Sequence, residues 1–193
     1  MRAVVLLSLM VLVLASCTAD QVNSTYTPLG SEPHSIGSAY QVTPVDSWQK
    51  YSSTADVDFL VHWTSGRSHS ANFALFHDLS EGDALFRYTD PDFPLFRADM
   101  TPEEVATLLR ETMKLRGMLS IETENVRPAK FGSLPGFKFD TNYVRSNSTL
   151  GRGSVLGTII NGRLQLIYFT SGVESFDEYV DDAEFMMESV VLQ

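Results

Sequence analysis

Cysteine is almost absent: Cys17 is the only one in 193 residues, so no disulfide can close within the chain and no cysteine-rich zinc site can form. Basic residues are also scarce, 14 Lys and Arg against 24 Asp and Glu, for a net charge of −10. A nucleic-acid binder needs clustered Lys and Arg to displace counterions, so a phosphate backbone is excluded as partner. The same acidity gives the chain as a whole no purchase on anionic lipid headgroups. No Gly-x-Ser-x-Gly elbow is present. What is there is globular: 44% hydrophobic and 20% charged residues, enough for one domain with a real core and far from a disordered tail or a bundle of membrane spans.

The N-terminus carries an address. Arg2 precedes an apolar stretch, Ala3 to Ala15, broken only by Ser8. As a helix it spans roughly 20 Å, short of the roughly 30 Å hydrocarbon core, which fits a removable signal better than a transmembrane anchor. The stretch ends in Leu14-Ala15-Ser16-Cys17, which resembles the lipobox of bacterial lipoproteins. The resemblance implies cleavage before Cys17, diacylglyceryl transfer to its thiol and acylation of the new amino terminus. Several acyl chains together give durable attachment where one does not. Thr18 follows; by resemblance to enterobacterial sorting, a residue other than aspartate there favours the outer membrane, facing the periplasm.

Residues 1–16 therefore read as signal peptide, and 17–39 as lipidated cysteine and flexible tether, rich in Ser, Thr, Pro, Gly and Asn. Residues 40–193 read as a single globular domain. Val57, Phe59, Val61 and Trp63 alternate with Asp58, Leu60 and His62, which predicts a half-buried strand with His62 on its less apolar face. Asn72 to Leu79 predicts another strand, and Asp90 to Pro94 a loop. Thr101-Pro102-Glu103-Glu104 is a helix start with a capping box and proline at the first position. Val105, Leu108, Leu109, Thr112 and Met113 form its apolar face, and Gly117 ends it. Strands follow over Met118–Val126, Phe137–Val144, Ser154–Ile160 and Arg163–Thr170, the last two joined by Asn161-Gly162, the clearest hairpin signal in the chain. Ser175 with Glu178 predicts a second capping box, opening a helix with Phe176, Tyr179, Val180, Ala183, Met186, Met187 and Val190 on its apolar side.

The fold class predicted is α+β: a mostly antiparallel sheet flanked by helices on both faces. The second half carries a resemblance. Leu134-Pro135-Gly136-Phe137, a glycine-containing hairpin, Leu166-Ile167-Tyr168-Phe169-Thr170, Phe176-Asp177-Glu178-Tyr179 and a closing Ser189-Val190-Val191-Leu192 resemble the PsbP-like α/β/α sandwich proteins. The resemblance covers about Trp48 to Leu192. It implies packing positions and accessory roles, and it implies no catalytic residues.

The search for chemistry returns no catalytic, cofactor or metal residues. His62, His69 and His77 match no familiar zinc spacing. Ser68-His69-Ser70 sets hydroxyls beside an imidazole in a loop, where triads are rarely built. Gly151-Arg152-Gly153, with Arg145 nearby, lacks the following helix of a phosphate cradle and reads as a hairpin turn. Glu174, Asp177, Glu178, Asp181, Asp182, Glu184 and Glu188 read as the solvated face of the last helix. Trp48, Trp63, Phe73, Phe76, Phe86, Phe93 and Phe96 read as core rather than as a ligand pocket. The expectation is a non-catalytic envelope protein with an envelope protein or lipid as partner. Two alternatives stay open: a hydrolase built from distant residues such as His62 or His77 with an acid, and a carrier of a small molecule or metal.

Overall fold

A computed structural model describes residues 25–52, 57–66, 69–88 and 91–193. The signal, the Leu14–Cys17 motif with its lipidation site, Ser68 and Asp90 lie outside the described residues. In chain order the elements are β1 (Thr25–Pro28), β2 (His34–Ile36), β3 (Tyr40–Val42), β4 (Trp48–Ser52), β5 (Leu60–Ser65), β6 (Ala71–Leu79), α1 (Pro102–Leu115), β7 (Ser120–Phe131), β8 (Leu134–Val144), β9 (Leu150–Ile160), β10 (Arg163–Gly172), α2 (Val173–Glu188) and β11 (Val191–Leu192). Eight strands form one antiparallel sheet in the order β1-β4-β5-β6-β10-β9-β8-β7, and β11-β3-β2 form a second, small one. Neither helix is long and apolar enough to cross a membrane.

Each face of the large sheet carries a core. One joins Val105, Leu108 and Leu109 of α1 to Phe76, Phe139, Val155, Leu166 and Tyr168 of the sheet. The other joins Phe176, Tyr179, Ala183 and Met186 of α2, with Tyr40 and Val42 of the small sheet, to Trp63, Phe73, Leu156 and Phe169. Alternation along each strand therefore feeds two cores at once. This corrects the expectation for β5. Leu60 and Thr64 are buried along with Trp63, because the face expected to meet water lies under other chain.

The helix starts divide. In α1 the capping box forms as predicted: Glu104 N donates to Thr101 Oγ1 and Thr101 N donates to Glu104 Oε2. In α2 it does not. β10 runs straight into the helix through Gly172, which takes the cap position with extended angles. Ser175 already lies in the first turn, where its hydroxyl donates to Gly172 O and shares a hydrogen bond with Ser171.

Two further expectations are corrected. The tether does not run to Ala39: Thr25–Pro28 pairs with β4, His34–Ile36 pairs with β3, and Leu29 and Ile36 are buried. Two apolar anchors and an open edge of β4 are enough to order a segment whose composition looks loop-like. Gly151-Arg152-Gly153 is not a hairpin turn but part of β9, paired with β8 and β10. The glycines are there because a Cβ on Gly151 would fall on the Tyr143 ring and one on Gly153 would meet Phe169 O at 2.5 Å. The Asn161-Gly162 hairpin stands as predicted, with φ of 51° and 75° and Ile160 facing Arg163.

Candidate functional site

The register of the large sheet sets out the site row by row on the α1 face. The first row is apolar: Phe137, Gly157, Leu166, Phe76 and Leu60 lie side by side on successive strands. The second mixes in polar aromatics: Phe139, Val155, Tyr168, Ala74, His62, Tyr51 and Tyr26. The third is polar and small: Thr141, Gly153, Thr170, Asn72, Thr64 and Gln49. A fourth begins with Tyr143 against Gly151. The floor thus turns from greasy to hydrogen-bonding along the strands, and the small Ala74 side chain leaves room between His62 and Tyr168.

Helix α1 covers the apolar rows and then stops. Gly117, at φ 93°, supplies the left-handed turn. Gly117 N donates to Lys114 O at 3.0 Å and Met118 N to Met113 O at 3.1 Å, the two closing bonds of a Schellman cap. What the helix leaves uncovered is a cleft of about 570 Å³, within the range of small-molecule sites. Its lining includes Tyr26, Tyr51, His62, His69, Asn72, Ala74, Phe86, Met113, Arg116, Tyr143, Arg145, Tyr168 and Thr170. Among the described residues no carboxylate lines it, in a chain with 24 of them.

Its walls are fixed by ring contacts. Tyr26 packs on His69 at 4.7 Å and on Tyr51 at 5.3 Å, and Tyr51 lies 6.2 Å from His62. Arg116 holds its guanidinium carbon 4.0 Å from the centroid of Phe86, and Phe86 meets Phe76 edge-on. Partial withdrawal from water there lowers the Arg116 pKa from its ordinary value. Arg145 sits 5.7 Å from the Tyr143 ring, and the Tyr143 hydroxyl donates to Ser171 O at 3.2 Å. On the floor, Tyr168 is buried and shares a 3.3 Å hydrogen bond with Thr141; burial pushes its phenol pKa well up.

No family model and no curated protein matches the sequence. Among solved structures, the solution structure of cyanobacterial PsbP (CyanoP) from Synechocystis sp. PCC 6803 is similar, with TM-score 0.51 and 14% identity over 86% of this chain and 99% of that one. The fold is PsbP-like. LpqN, involved in cell envelope biogenesis of Mycobacterium tuberculosis, is a looser match at TM-score 0.41 and 11% identity, covering 90% of this chain and 92% of that one. At such identities the PsbP-like likeness concerns architecture, and the contents of the cleft are read from this chain alone.

The histidines separate in space. His62 and His69 share the cleft, whereas His77 packs under Gly37 with its Nδ1 3.5 Å from Asp78 Oδ2, and His34 stands edge-on to Trp63. Among the described residues no three His, Cys, Asp or Glu side chains converge as a metal site. The helix acids lie on α2, behind the opposite face of the sheet; Glu174, Asp177, Glu178, Asp181 and Glu188 are exposed, and Glu184 pairs with Lys138. Of the seven aromatics read as core, all are buried, and Trp63, Phe73 and Phe86 also border the cleft. Sequence reasoning missed Arg116, Tyr143 and Tyr168, and it saw Arg145 only as a neighbour of a glycine pair. A signal was present: along β8 and β10 the same-face residues change from Phe137 and Phe139 to Thr141 and Tyr143, and from Leu164 and Leu166 to Tyr168 and Thr170.

Proposed function

We propose that this is a lipid-anchored protein of the bacterial cell envelope that binds its ligand without transforming it, and that an anionic organic ligand occupies the cleft beside α1. One observation carries the reading of the cleft: in an acidic chain, this concavity has two arginines, two histidines and no described carboxylate at its walls. Low-dielectric walls lined by one sign of charge concentrate ligands of the other sign.

The non-catalytic reading is supported by the sequence, which pairs an export and anchoring signal with no nucleophile elbow and no familiar zinc spacing among its histidines. His77 has Asp78 close by, but it stands outside the cleft lining. The anchor rests on the resemblance of Leu14-Ala15-Ser16-Cys17 to a lipobox, and the outer membrane on Thr18.

Mass spectrometry tests both halves. The intact native protein is expected to begin at Cys17 with diacylglyceryl and acyl mass, and Cys17→Ala to lose it; an unlipidated start elsewhere overturns the anchor. For the cleft, the protein is incubated with a small-molecule extract of envelopes and sprayed under native conditions. A bound species is expected on the wild type and absent from Ala74→Phe, which fills the floor between His62 and Tyr168. A melting curve shows that the variant is folded. No bound species, or one indifferent to Ala74→Phe, overturns the cleft as the site.

A further inference from the structure

We infer that the ligand of the cleft is a single-chain anionic amphiphile taken from the membrane, its acid group at Arg116 and Arg145 and its apolar body over Ala74, Phe86 and Tyr168. This rests on the reading of the cleft as a ligand site and names the chemical class it takes.

The two arginines differ from five other cations of the chain, and Arg152, which also lies against a ring, does so over Phe176 of α2 on the opposite side of the sheet. Arg97, Arg110, Lys114, Arg127 and Lys138 each pair with a carboxylate. Among the described residues neither Arg116 nor Arg145 does; each lies against an aromatic ring instead. A guanidinium backed by a ring keeps its outer N–H fork for an incoming acid, and its geometry suits carboxylate and phosphate alike. A bare inorganic anion would leave most of 570 Å³ empty, and the ring-lined floor calls for an apolar body.

The surroundings of the mouth indicate where such a ligand comes from. Leu115 and Leu119, 50% and 64% exposed, flank Arg116 in sequence, and Leu150, 57% exposed, pairs with Val144 beside Arg145. Arg145 also donates to the Tyr143 hydroxyl at 3.5 Å, which leaves its remaining N–H groups for a ligand. Exposed leucines next to guanidiniums that no described carboxylate neutralises suit a bilayer interface, apolar groups sinking and cations meeting headgroups. Tyr26 lines the cleft only nine residues after Cys17, so an anchor on that cysteine holds the mouth within about 30 Å of the bilayer. On the cleft side Glu104 and Glu111 of α1 are paired with Arg97, Arg110 and Lys114, and the exposed acids of α2 lie across the sheet.

Calorimetry on the processed full-length protein tests this with dodecanoate, dodecyl phosphate, dodecylphosphocholine and inorganic phosphate, each below micelle formation. Either anionic amphiphile is expected to bind at one equivalent and at least about tenfold tighter than the zwitterion. Arg116→Gln and Arg145→Gln should each lose about tenfold for the anionic probes while leaving the zwitterion unchanged, with a cooperative melt well above the assay temperature as the folding control. Inorganic phosphate binding as tightly as dodecyl phosphate would make this a small-anion site and overturn the proposal. So would equal affinity for the zwitterion, or indifference to both substitutions. If no amphiphile binds while the envelope extract still yields a species that Ala74→Phe removes, this inference fails and the cleft reading stands. If both are silent, both fail.

Discussion

Arg116 and Phe86 are stacked, guanidinium carbon to ring centroid 4.0 Å, and the two residues answer to different demands. Phe86 is 7% exposed and belongs to the α1-side core, whereas Arg116 follows the last residue of α1. Phe86→Ala should cost about 3–5 kcal/mol, as for other large-to-small core changes. Arg116→Ala should cost only about 0.5–1 kcal/mol, the worth of a cation–π contact near the surface. Urea unfolding of both variants checks the order. If Arg116→Ala proves as costly as Phe86→Ala, the arginine is there to hold the fold.

Much of the architecture could be read before any coordinates. Thr101 and Glu104 declare a helix start because capping satisfies local backbone donors, and Asn161-Gly162 declares a hairpin because positive φ is a local demand. Ser175 misled for the complementary reason. Its pattern with Glu178 is a valid cap, but the neighbouring strand runs on to Gly172 and takes the position first. The strand at Thr25–Pro28 was illegible because its stability comes from β4, more than twenty residues away. The cleft was illegible for the same reason. Arg116, Tyr143 and Tyr168 meet only through sheet register and the end of α1; the polar turn along β8 and β10 marks a face but not what faces it.

The pairing of Tyr143 with Gly151 gives a second prediction. The Tyr143 ring crosses β9 where residue 151 has no side chain, and its hydroxyl continues to Ser171 O. Gly151→Ala puts a methyl into that ring, and overpacking of this kind costs about 1–3 kcal/mol. Tyr143→Ala in the same chain should remove the clash, so the double variant should be more stable than the sum of the two single losses. Thermal melts of the four proteins form the cycle. Strict additivity would show that the glycine is needed for its backbone alone.

The start of α1 predicts an acid-side dependence. Glu104 accepts the Thr101 backbone N–H and the Arg97 guanidinium, and these hold its carboxyl below the usual 4.5, the backbone bond contributing most. A carboxylate with a depressed folded pKa stabilises the fold above its unfolded value, and that stability is lost as the pH falls through the depressed one. Melting temperature should therefore fall less steeply below about pH 4.5 in Glu104→Gln than in the wild type. At neutral pH, Thr101→Ala should cost about 0.5–2 kcal/mol through the other half of the box. Parallel acid slopes for wild type and Glu104→Gln would remove Glu104 from the account.

The alkaline side is governed by two phenols on opposite faces of the sheet. Tyr40 is fully buried and donates its hydroxyl to Phe76 O at 3.1 Å. Burial first, then the nearby charge of Asp78, drives its pKa well above the ordinary 10. Tyr168 is raised by burial as well, against a smaller lowering by its bond to Thr141. A group whose folded pKa is raised keeps its full stabilising share below the unfolded value and loses it as the pH climbs from there toward the folded one. Between those limits the unfolded chain has shed the proton and the folded chain has not, so each unit of pH favours unfolding. Stability should thus begin to fall near pH 10. The share of the 295 nm tyrosinate absorbance due to these two residues should then appear together with the loss of ordered structure, not ahead of it. Tyr168→Phe and Tyr40→Phe should each shrink that coupled step and flatten the alkaline slope. Tyrosinate absorbance that rises in full while circular dichroism stays native would mean that both hydroxyls reach water in the folded protein, and the polar rows of the cleft floor would then have to be open as far down as Tyr168.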